Sequence, residues 1–594
     1  MPASMVSSGR GTRNQTDKKN ERVLVCETSS DDGPEGYASG SGSSTGSIRI
    51  GLKRDLGNRQ LQLITMGGAI GTALFLSIGI GLAKGGPLSL LISWSLYALN
   101  MSFVNSALAE MTVLYPVEGG FVRLAEHFVG PDFAFGVGYN YFLYELVLIP
   151  FEITALNTVL GYWFTDYRYP WIVVSLVIFS YVLFNIISVK WYGEFEFWLS
   201  SGKVFLLLLL ISFTVFTMLG ANPERDIYGF RYWKDPGPLA TYRTSGDLGR
   251  FEGFLGSLWS AAFAIVGPEY VSSVAGEAAR PRVNIKAAFK TVFWRFLCFF
   301  VMSAMCVGIV IPYNDKALVE FVFGKSAGGG TAAASPYVIA MDNLRINGLP
   351  NLVNALMLTS VYSAGNTYFY VASRNLYGLA LEGKAPKLCK KIWNGVPIIC
   401  YVIVTVFSCL ALLGCSKGSA KVLGYFTSVI TGGGILNYAN MCVTYLFFYR
   451  AVKVQGLDRE QFPYRGWFQP YATWVALVVE VLIILFVGYT TVVPFDATGF
   501  FTHYGMLIAE SVLIVGWKVC RRTTLVRAED VDLEWVRPEI DEYEANLTGH
   551  DKGFWREVLE YFRLRRKEDS PTEAVTLGTI RRGSDSRGEG EEMR

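Results

Sequence analysis

Three glycines within five residues interrupt an apolar run: Gly67-Gly68-Ala69-Ile70-Gly71-Thr72 lies in a stretch that begins near Leu61 and continues to about Ala83. The run is long enough to cross a bilayer, yet each glycine costs about 1 kcal/mol relative to alanine in a helix. Unwound backbone in hydrocarbon leaves amides and carbonyls unpaired, and it is tolerated only where it lines a cavity or meets a ligand. The pattern predicts a broken membrane helix whose freed amides, backed by the positive end of the next half-helix, hold a carboxylate. Close packing of neighbouring helices is the other use of such glycines. Four ionisable residues stand out inside other apolar runs, where charge is costly and tends to be functional. Glu145 and Glu152 are seven residues apart and share a helix face. Lys203 either serves the site or snorkels to an interface. Glu269, in Gly267-Pro268-Glu269, either serves the site or caps unwound backbone. Glu152 has structural pairing with a polar neighbour helix as its alternative. Phe263 lies one turn before the proline, where a ring closes over a solute or simply packs.

The elements that must position these groups are helices. Apolar runs near residues 60–83, 87–114, 132–161, 169–189, 197–220, 251–274, 288–312, 350–380, 396–415, 421–448, 471–493 and 500–519 predict about twelve spans. Pro268 lacks an amide and clashes with the preceding turn, so the sixth span should kink or break there and is interrupted like the first. Two interrupted spans at an odd offset run in opposite directions, the pattern of an inverted repeat with a midplane site between the breaks. The expected fold is an all-α polytopic membrane protein with a five-plus-five inverted repeat and broken helices 1 and 6. The expected domains are a disordered cytosolic tail over 1–50, a transporter domain over 51–520 and a cytosolic tail over 521–594. Within the transporter domain the repeats cover about 60–220 and 251–448, followed by two extra helices over 471–519.

Composition agrees with membrane residence. Of 594 residues, 51% are hydrophobic and only 17% charged, against about 25% charged in soluble domains. A net charge of +3 gives no reason to expect nucleic acid. His127, His503 and His550 are too scattered for a histidine metal site, and the nine cysteines contain no CxxC pair. No metal or cofactor is expected, and no nucleophile–base arrangement suggests an enzyme. The first 50 residues are polar and rich in Ser and Gly, with no signal-peptide pattern. Basic residues follow alternate spans, including Arg280, Arg282, Lys286, Lys384, Lys387, Arg459 and Arg521. The short opposite loops carry few, Lys84, Arg168 and Lys417, while the two long ones, about 221–250 and 313–349, carry mixed charge and count little in the rule. The positive-inside rule therefore puts both termini in the cytosol.

Four segments carry a family likeness: Gly67–Phe75, Glu110–Phe121, Gly267–Pro281 and Ser373–Pro386 resemble fungal amino acid permeases of the amino acid–polyamine–organocation superfamily, over about residues 50 to 525. The resemblance implies proton-coupled amino acid uptake at the plasma membrane on the inverted-repeat fold. It implies that backbone at Ala69, Gly71, Thr72 and Ala73 receives the substrate carboxylate, and that carbonyls around Phe263, Ala264 and Val266 take the ammonium. Phe263 matches the family's aromatic gate, Glu152 a third-helix glutamate of substrate recognition and proton coupling, and Glu269 the sixth-helix glutamate. Lys203 matches a fifth-helix lysine that stands, in proton-driven carriers, where sodium-driven relatives hold an ion. Two departures are visible. Ala73 replaces the usual glycine, and its methyl narrows the space above the backbone. Glu145 is an extra carboxylate that suits a cationic substrate or a proton relay.

The expected partners are an amino acid, protons and the bilayer. Lys18, Lys19 and the segment Arg563–Arg594 offer sites where trafficking machinery could act, with plain solvated tail as the alternative. Two other functions fit the same fold: a transport-inactive amino acid sensor, and a carrier of another organic cation such as a polyamine.

Overall fold

The structure is a computed structural model describing residue 54, residues 56–164, 169–187, 189–323, 335–393, 396–415, 419–492 and 494–547, and residue 559. The expected tail over 1–50, most of the region after 547, and Arg168, Lys417 and His550 lie outside the described residues. The described chain is helical, with two isolated bridges and no strand among these residues. In order the helices are α1 (Asn58–Ala69), α2 (Ile78–Leu114, joined to a π-helical turn at Ala73–Ser77), α3 (Gly120–Phe128), α4 (Pro131–Leu160), α5 (Tyr169–Ile187) and α6 (Val189–Met218). Then come α7 (Arg231–Lys234), α8 (Gly246–Ala264), α9 (Pro268–Ser273), α10 (Pro281–Arg295), α11 (Met302–Val310), α12 (Lys316–Phe323) and α13 (Pro336–Asn343). The last are α14 (Leu349–Leu381), α15 (Ile398–Ser408), α16 (Ser419–Val454), α17 (Tyr471–Val487), α18 (Ala497–Arg521) and α19 (Arg537–Ala545).

Nine helical runs among the described residues are long and apolar enough to cross a membrane, which makes this a multi-pass membrane protein. One of them, Ala73–Leu114, has 42 residues, about twice what one crossing needs. It bends at Gly86, whose φ of 77° is open to glycine and whose added Cβ would lie 2.7 Å from the amide nitrogen of Ala240. The expected spans 60–83 and 87–114 thus meet at Gly86-Pro87 with no loop. The long helices α14 and α16 fall outside the nine because they carry inward-facing polar residues: Ser363, Asn366 and Thr367 on one, Thr431, Asn437 and Asn440 on the other, all buried. On the perimeter, α5, α17 and α18 present Leu176, Phe179, Val478, Leu482, Val512 and Val519 outward, an apolar surface suited to lipid.

The centre of the bundle is the crossing of α1–α2 with α8–α9. At one end Leu56 N donates to Glu277 O at 3.0 Å and Ala279 N to Leu56 O at 2.9 Å; at the other, Ala240 N donates to Gly85 O at 3.0 Å. The two segments therefore run antiparallel. Between them, Ser260 Oγ reaches Ser77 O and Ser257 Oγ reaches Gly81 O, both at 2.7 Å. A Cβ on Gly253 would meet Lys84 O at 2.6 Å, so small residues here allow backbone to approach backbone.

The end of the bundle holding Leu56 is tied by polar contacts. Glu110, fully buried at the end of α2, accepts Arg459 Nε and Nη2 at 2.8 Å each, Gly466 N at 2.8 Å and Tyr445 Oη at 3.0 Å. The segment after α18 docks on the same end. Val526 N donates to Val129 O at 3.0 Å, Gln455 Nε2 to Val531 O at 2.7 Å and Tyr543 Oη to Ala279 O at 3.0 Å. The His127 ring stacks on Trp535 at 3.9 Å and its Nε2 donates to Asp532 O at 2.7 Å.

Two predictions follow from these ties. Arg459→Ala leaves the Glu110 charge buried without its cation, and should lower stability by about 3 kcal/mol, read as a lower unfolding temperature in detergent; Arg459→Lys should recover only part, since the two-pronged geometry is lost. Burial holds His127 below its ordinary value of 6.5, so the docked segment favours the neutral ring. Docking keeps full strength above about pH 6.5 and loses it as pH falls through the depressed value. Hydrogen exchange over 523–547 should therefore speed up between pH 7.5 and 5.5, beyond the intrinsic change, in the native chain and not in His127→Phe; equal behaviour of the two refutes the assignment.

Candidate functional site

Backbone accounting defines the first break. Ile70 N still donates to Met66 O at 3.1 Å, and the helical ladder stops there. Gly67 O, which would take the amide of residue 71, instead accepts Lys203 Nζ at 2.7 Å. Gly68 O accepts Tyr368 Oη at 2.7 Å, and Ile70 O accepts Ser360 Oγ at 3.4 Å. On the far side, Thr72 N donates to Glu152 Oε1 at 3.2 Å and Thr72 Oγ1 donates to Glu152 Oε2. The ammonium thus sits at the carbonyl end of α1 and the carboxylate at the amide end of the resumed helix, the arrangement that helix dipoles favour.

The glycine pair differs from expectation. Gly67 and Gly68 remain helical, and only Ile70 and Gly71 leave the helix. Their lack of a side chain serves packing: a Cβ on Gly67 would lie 2.3 Å from Glu196 Oε1, and one on Gly68 would lie 2.8 Å from the Tyr270 ring. Gly71 is the glycine that belongs to the break, with Glu152 Oε1 2.6 Å from where its Cβ would be.

The second break spans Ile265 to Gly267. Pro268 does not kink a continuing helix; it occupies the first turn of α9, where a missing amide costs nothing. Gly267, with φ of 149°, gives its amide to Glu269 Oε2 at 3.1 Å, and Tyr438 Oη donates to Glu269 Oε1 at 3.0 Å. The helical partners of the Phe263 and Ala264 carbonyls would be the amides of residues 267 and 268. One is diverted to Glu269 and the other does not exist, so both carbonyls are free of the ladder. The breaks are adjacent: a Cβ on Gly267 would lie 3.6 Å from Ala69 Cβ.

A cavity of about 420 Å³ leads down to this crossing, lined by Thr72, Lys84, Phe151, Trp259, Phe263 and Thr427 among others. Phe263 and Phe151 meet edge to face at its floor, with centroids 5.2 Å apart. That volume suits a solute of amino acid size. The residues singled out from the sequence therefore divide. Gly71, Thr72 and Glu152 come together, Phe263 lies at the cavity floor, Ala69 stands against the second break, and Glu269 caps it. Lys203 does not snorkel; it is 0% exposed and bound to the first break. Val266 lies in the second break, Ala264 ends α8 and Ala73 begins the π-helical turn, and none of the three lines the cavity. Glu145 is fully buried, with Tyr141, Tyr270 and Glu269 around its carboxylate.

Several buried groups escaped the sequence reading. Glu196 lies beside Gly67, and Tyr368 caps Gly68. Arg295, beside Glu269, has no hydrogen-bond partner on any guanidinium nitrogen. Glu480 accepts Asn100 Nδ2 at 2.8 Å, and Glu510 accepts Asn440 Nδ2 at 2.6 Å. Arg295, Glu480 and Glu510 were visible as charges inside apolar runs. Tyr368 carried no signal in the sequence. Among the described residues, no group of three or more His, Cys, Asp or Glu side chains is arranged to hold a metal ion.

Comparison with known proteins completes the description. The family model for amino acid permeases matches residues 60–528. The general amino acid permease AGP2 of Saccharomyces cerevisiae is 42% identical over 476 residues, 78% of this chain and 79% of that protein. A dicarboxylic amino acid permease of the same yeast is 36% identical, covering 84% of this chain and 83% of that protein. A proline-specific permease of Emericella nidulans is 35% identical, covering 82% and 89%. These relatives are transporters rather than enzymes, and the chain belongs to the amino acid permease family.

Proposed function

We propose that this chain imports an amino acid together with a proton, by alternating access around the crossing of its two broken helices. The reading includes about twelve crossings, an inverted five-plus-five repeat broken in its first and sixth helices, a transporter domain over 51–520, cytosolic termini and a plasma-membrane location. One observation carries it: two antiparallel helices open at adjacent points beneath a cavity of solute size, and buried Lys203, Glu152 and Glu269 meet the opened backbone. The sidedness is supported by Arg282, Lys286 and Arg459 at the Leu56 end, against Lys84 at the cavity mouth.

In this mechanism the substrate carboxylate takes the Thr72 amide and hydroxyl, and the ammonium takes the carbonyls of Phe263 and Ala264. Glu152 already holds the Thr72 donors, and two carboxylates repel. Protonation of Glu152 from the outside removes that charge and weakens its hold on Thr72, so the proton must arrive for the substrate to bind. Each positive charge moving inward down the membrane potential supplies about 2.3 kcal/mol per 100 mV. Lys203, held on the first broken helix, senses its movement as one repeat rocks against the other.

The occupied Thr72 donors also favour a second reading. A cation without a carboxylate, such as a polyamine, leaves Glu152 in place and pairs with it. Amino acid methyl esters separate the two: they should compete poorly under the first reading and well under the second.

The central test is uptake of labelled amino acids by a host stripped of its own permeases. Uptake should rise at acid pH and collapse with a protonophore; its absence from a chain shown to be at the cell surface defeats the proposal. Thr72→Val removes one hydrogen bond to a charged partner and should raise the half-saturation concentration about 10-fold. Lys203→Ala should reach the membrane yet lose the pH dependence, and a normal pH profile in that variant removes the lysine from the coupling step.

A further inference from the structure

Glu196 stands seven residues before Lys203 on α6, two turns away on the same face. It is 1% exposed. Its Oε1 accepts Ser200 Oγ at 3.0 Å and, from α14, Ser363 Oγ at 2.5 Å. The same oxygen lies 2.3 Å from the position a Cβ on Gly67 would take. Its Oε2 is buried and has no hydrogen-bond partner. Gly67 thus touches both ionisable groups of α6: its carbonyl holds the Lys203 ammonium, and its bare Cα faces the Glu196 carboxylate. Lys203 and Glu196 are near enough to interact electrostatically without being joined as an ion pair.

An empty carboxylate oxygen in a dry core costs free energy unless another arrangement fills it. The ammonium carries three donors, and the Gly67 carbonyl takes one. That carbonyl belongs to α1, which must shift if access is to alternate. We propose that Glu196 is the positioning residue for Lys203: when α1 moves and the Gly67 carbonyl leaves, Glu196 Oε2 receives the ammonium. Glu196 then keeps the lysine protonated and in place through the step in which its first partner is lost. This rests on the proton-driven reading above. The other groups facing this pair are Glu152 on α4, Tyr181 on α5, and Ser363, Thr367 and Tyr368 on α14. Glu152 shares the local field but is bound to Thr72, on the other side of the break.

The test compares uptake against pH for the full chain and its variants, with surface abundance measured in parallel. Glu196→Gln should reach the surface with a half-saturation concentration within about 2-fold of the native chain, a maximal rate about 10-fold lower and a flattened acid limb. Glu196→Asp should restore the shape of the profile. Glu196→Gln added to Lys203→Ala should change nothing further, because the carboxylate acts through the lysine. If Glu196→Gln fails to reach the surface, the double variant Glu196→Gln/Lys203→Met, which removes both charges, should be recovered there; its failure to appear overturns the pairing. A native-shaped pH profile in Glu196→Gln, with only abundance reduced, assigns the residue to structure alone and overturns the proposal. Absence of acid-stimulated uptake in the native chain overturns the proton-driven reading and this inference with it. Acid-stimulated native uptake beside an unchanged Glu196→Gln overturns only the inference.

Discussion

An opened helix inside hydrocarbon must have its backbone polar groups met, and that requirement organises the centre of this protein. At the first break the carbonyls of Gly67, Gly68 and Ile70 are met by Lys203, Tyr368 and Ser360, and the Thr72 amide is met by Glu152. These partners come from α6, α14 and α4, so the break cannot exist without three other helices packed around it. At the second break the partner is local: Glu269, in the first turn of α9, takes the Gly267 amide itself. The asymmetry matters mechanically. The second break carries its own cap and can move as a unit, whereas moving the first transfers load to its neighbours.

The charges follow from the same constraint. A helix interrupted in a low-dielectric core exposes a negative end and a positive end within a few ångströms. Lys203 stands at the one and Glu152 at the other, and each lowers the cost of burying its counterpart. The arrangement is tight enough that an arriving anion cannot be added to it. In the proposed mechanism it displaces Glu152, and displacement of one carboxylate by another is neutral in charge only if a proton accompanies it. Proton coupling in this reading is therefore a consequence of filling the site in advance, with no separate proton channel required.

The sequence announced the breaks because glycine and proline are local signals, and it announced Glu152, Lys203 and Glu269 because charge in an apolar run is anomalous. It misassigned the glycines by position. Gly67 and Gly68 are helical and serve packing against Glu196 and Tyr270, while Gly71 alone serves the break. No local rule separates these uses, since the neighbours that distinguish them lie more than a hundred residues away in sequence. Glu196 was hidden for the same reason. It sits near the start of a span and reads as interfacial, and only Ser363 and Gly67 reveal it as part of the core. Helices α14 and α16 were legible as spans although their polar content keeps them out of the strongly apolar set. Their Asn, Ser and Thr residues face neighbouring helices, as the Asn140–Asn437 bond of 2.9 Å illustrates.

The two ends of the bundle differ in what it takes to open them. Around the cavity, Phe263 and Phe151 form an aromatic floor and Lys84 stands at the mouth. At the opposite end, Glu110 gathers four donors from α16 and the segment that follows it, and the chain after α18 bonds to α3, α16 and the turn before α10. Opening that end requires these contacts to break or to travel together. Glu110 belongs to α2, which continues directly from the first broken helix, and Ala279 belongs to the turn that follows the second. The polar contacts of this end therefore reach both the part of α2 beyond the Gly86 bend and the turn that follows the second broken helix.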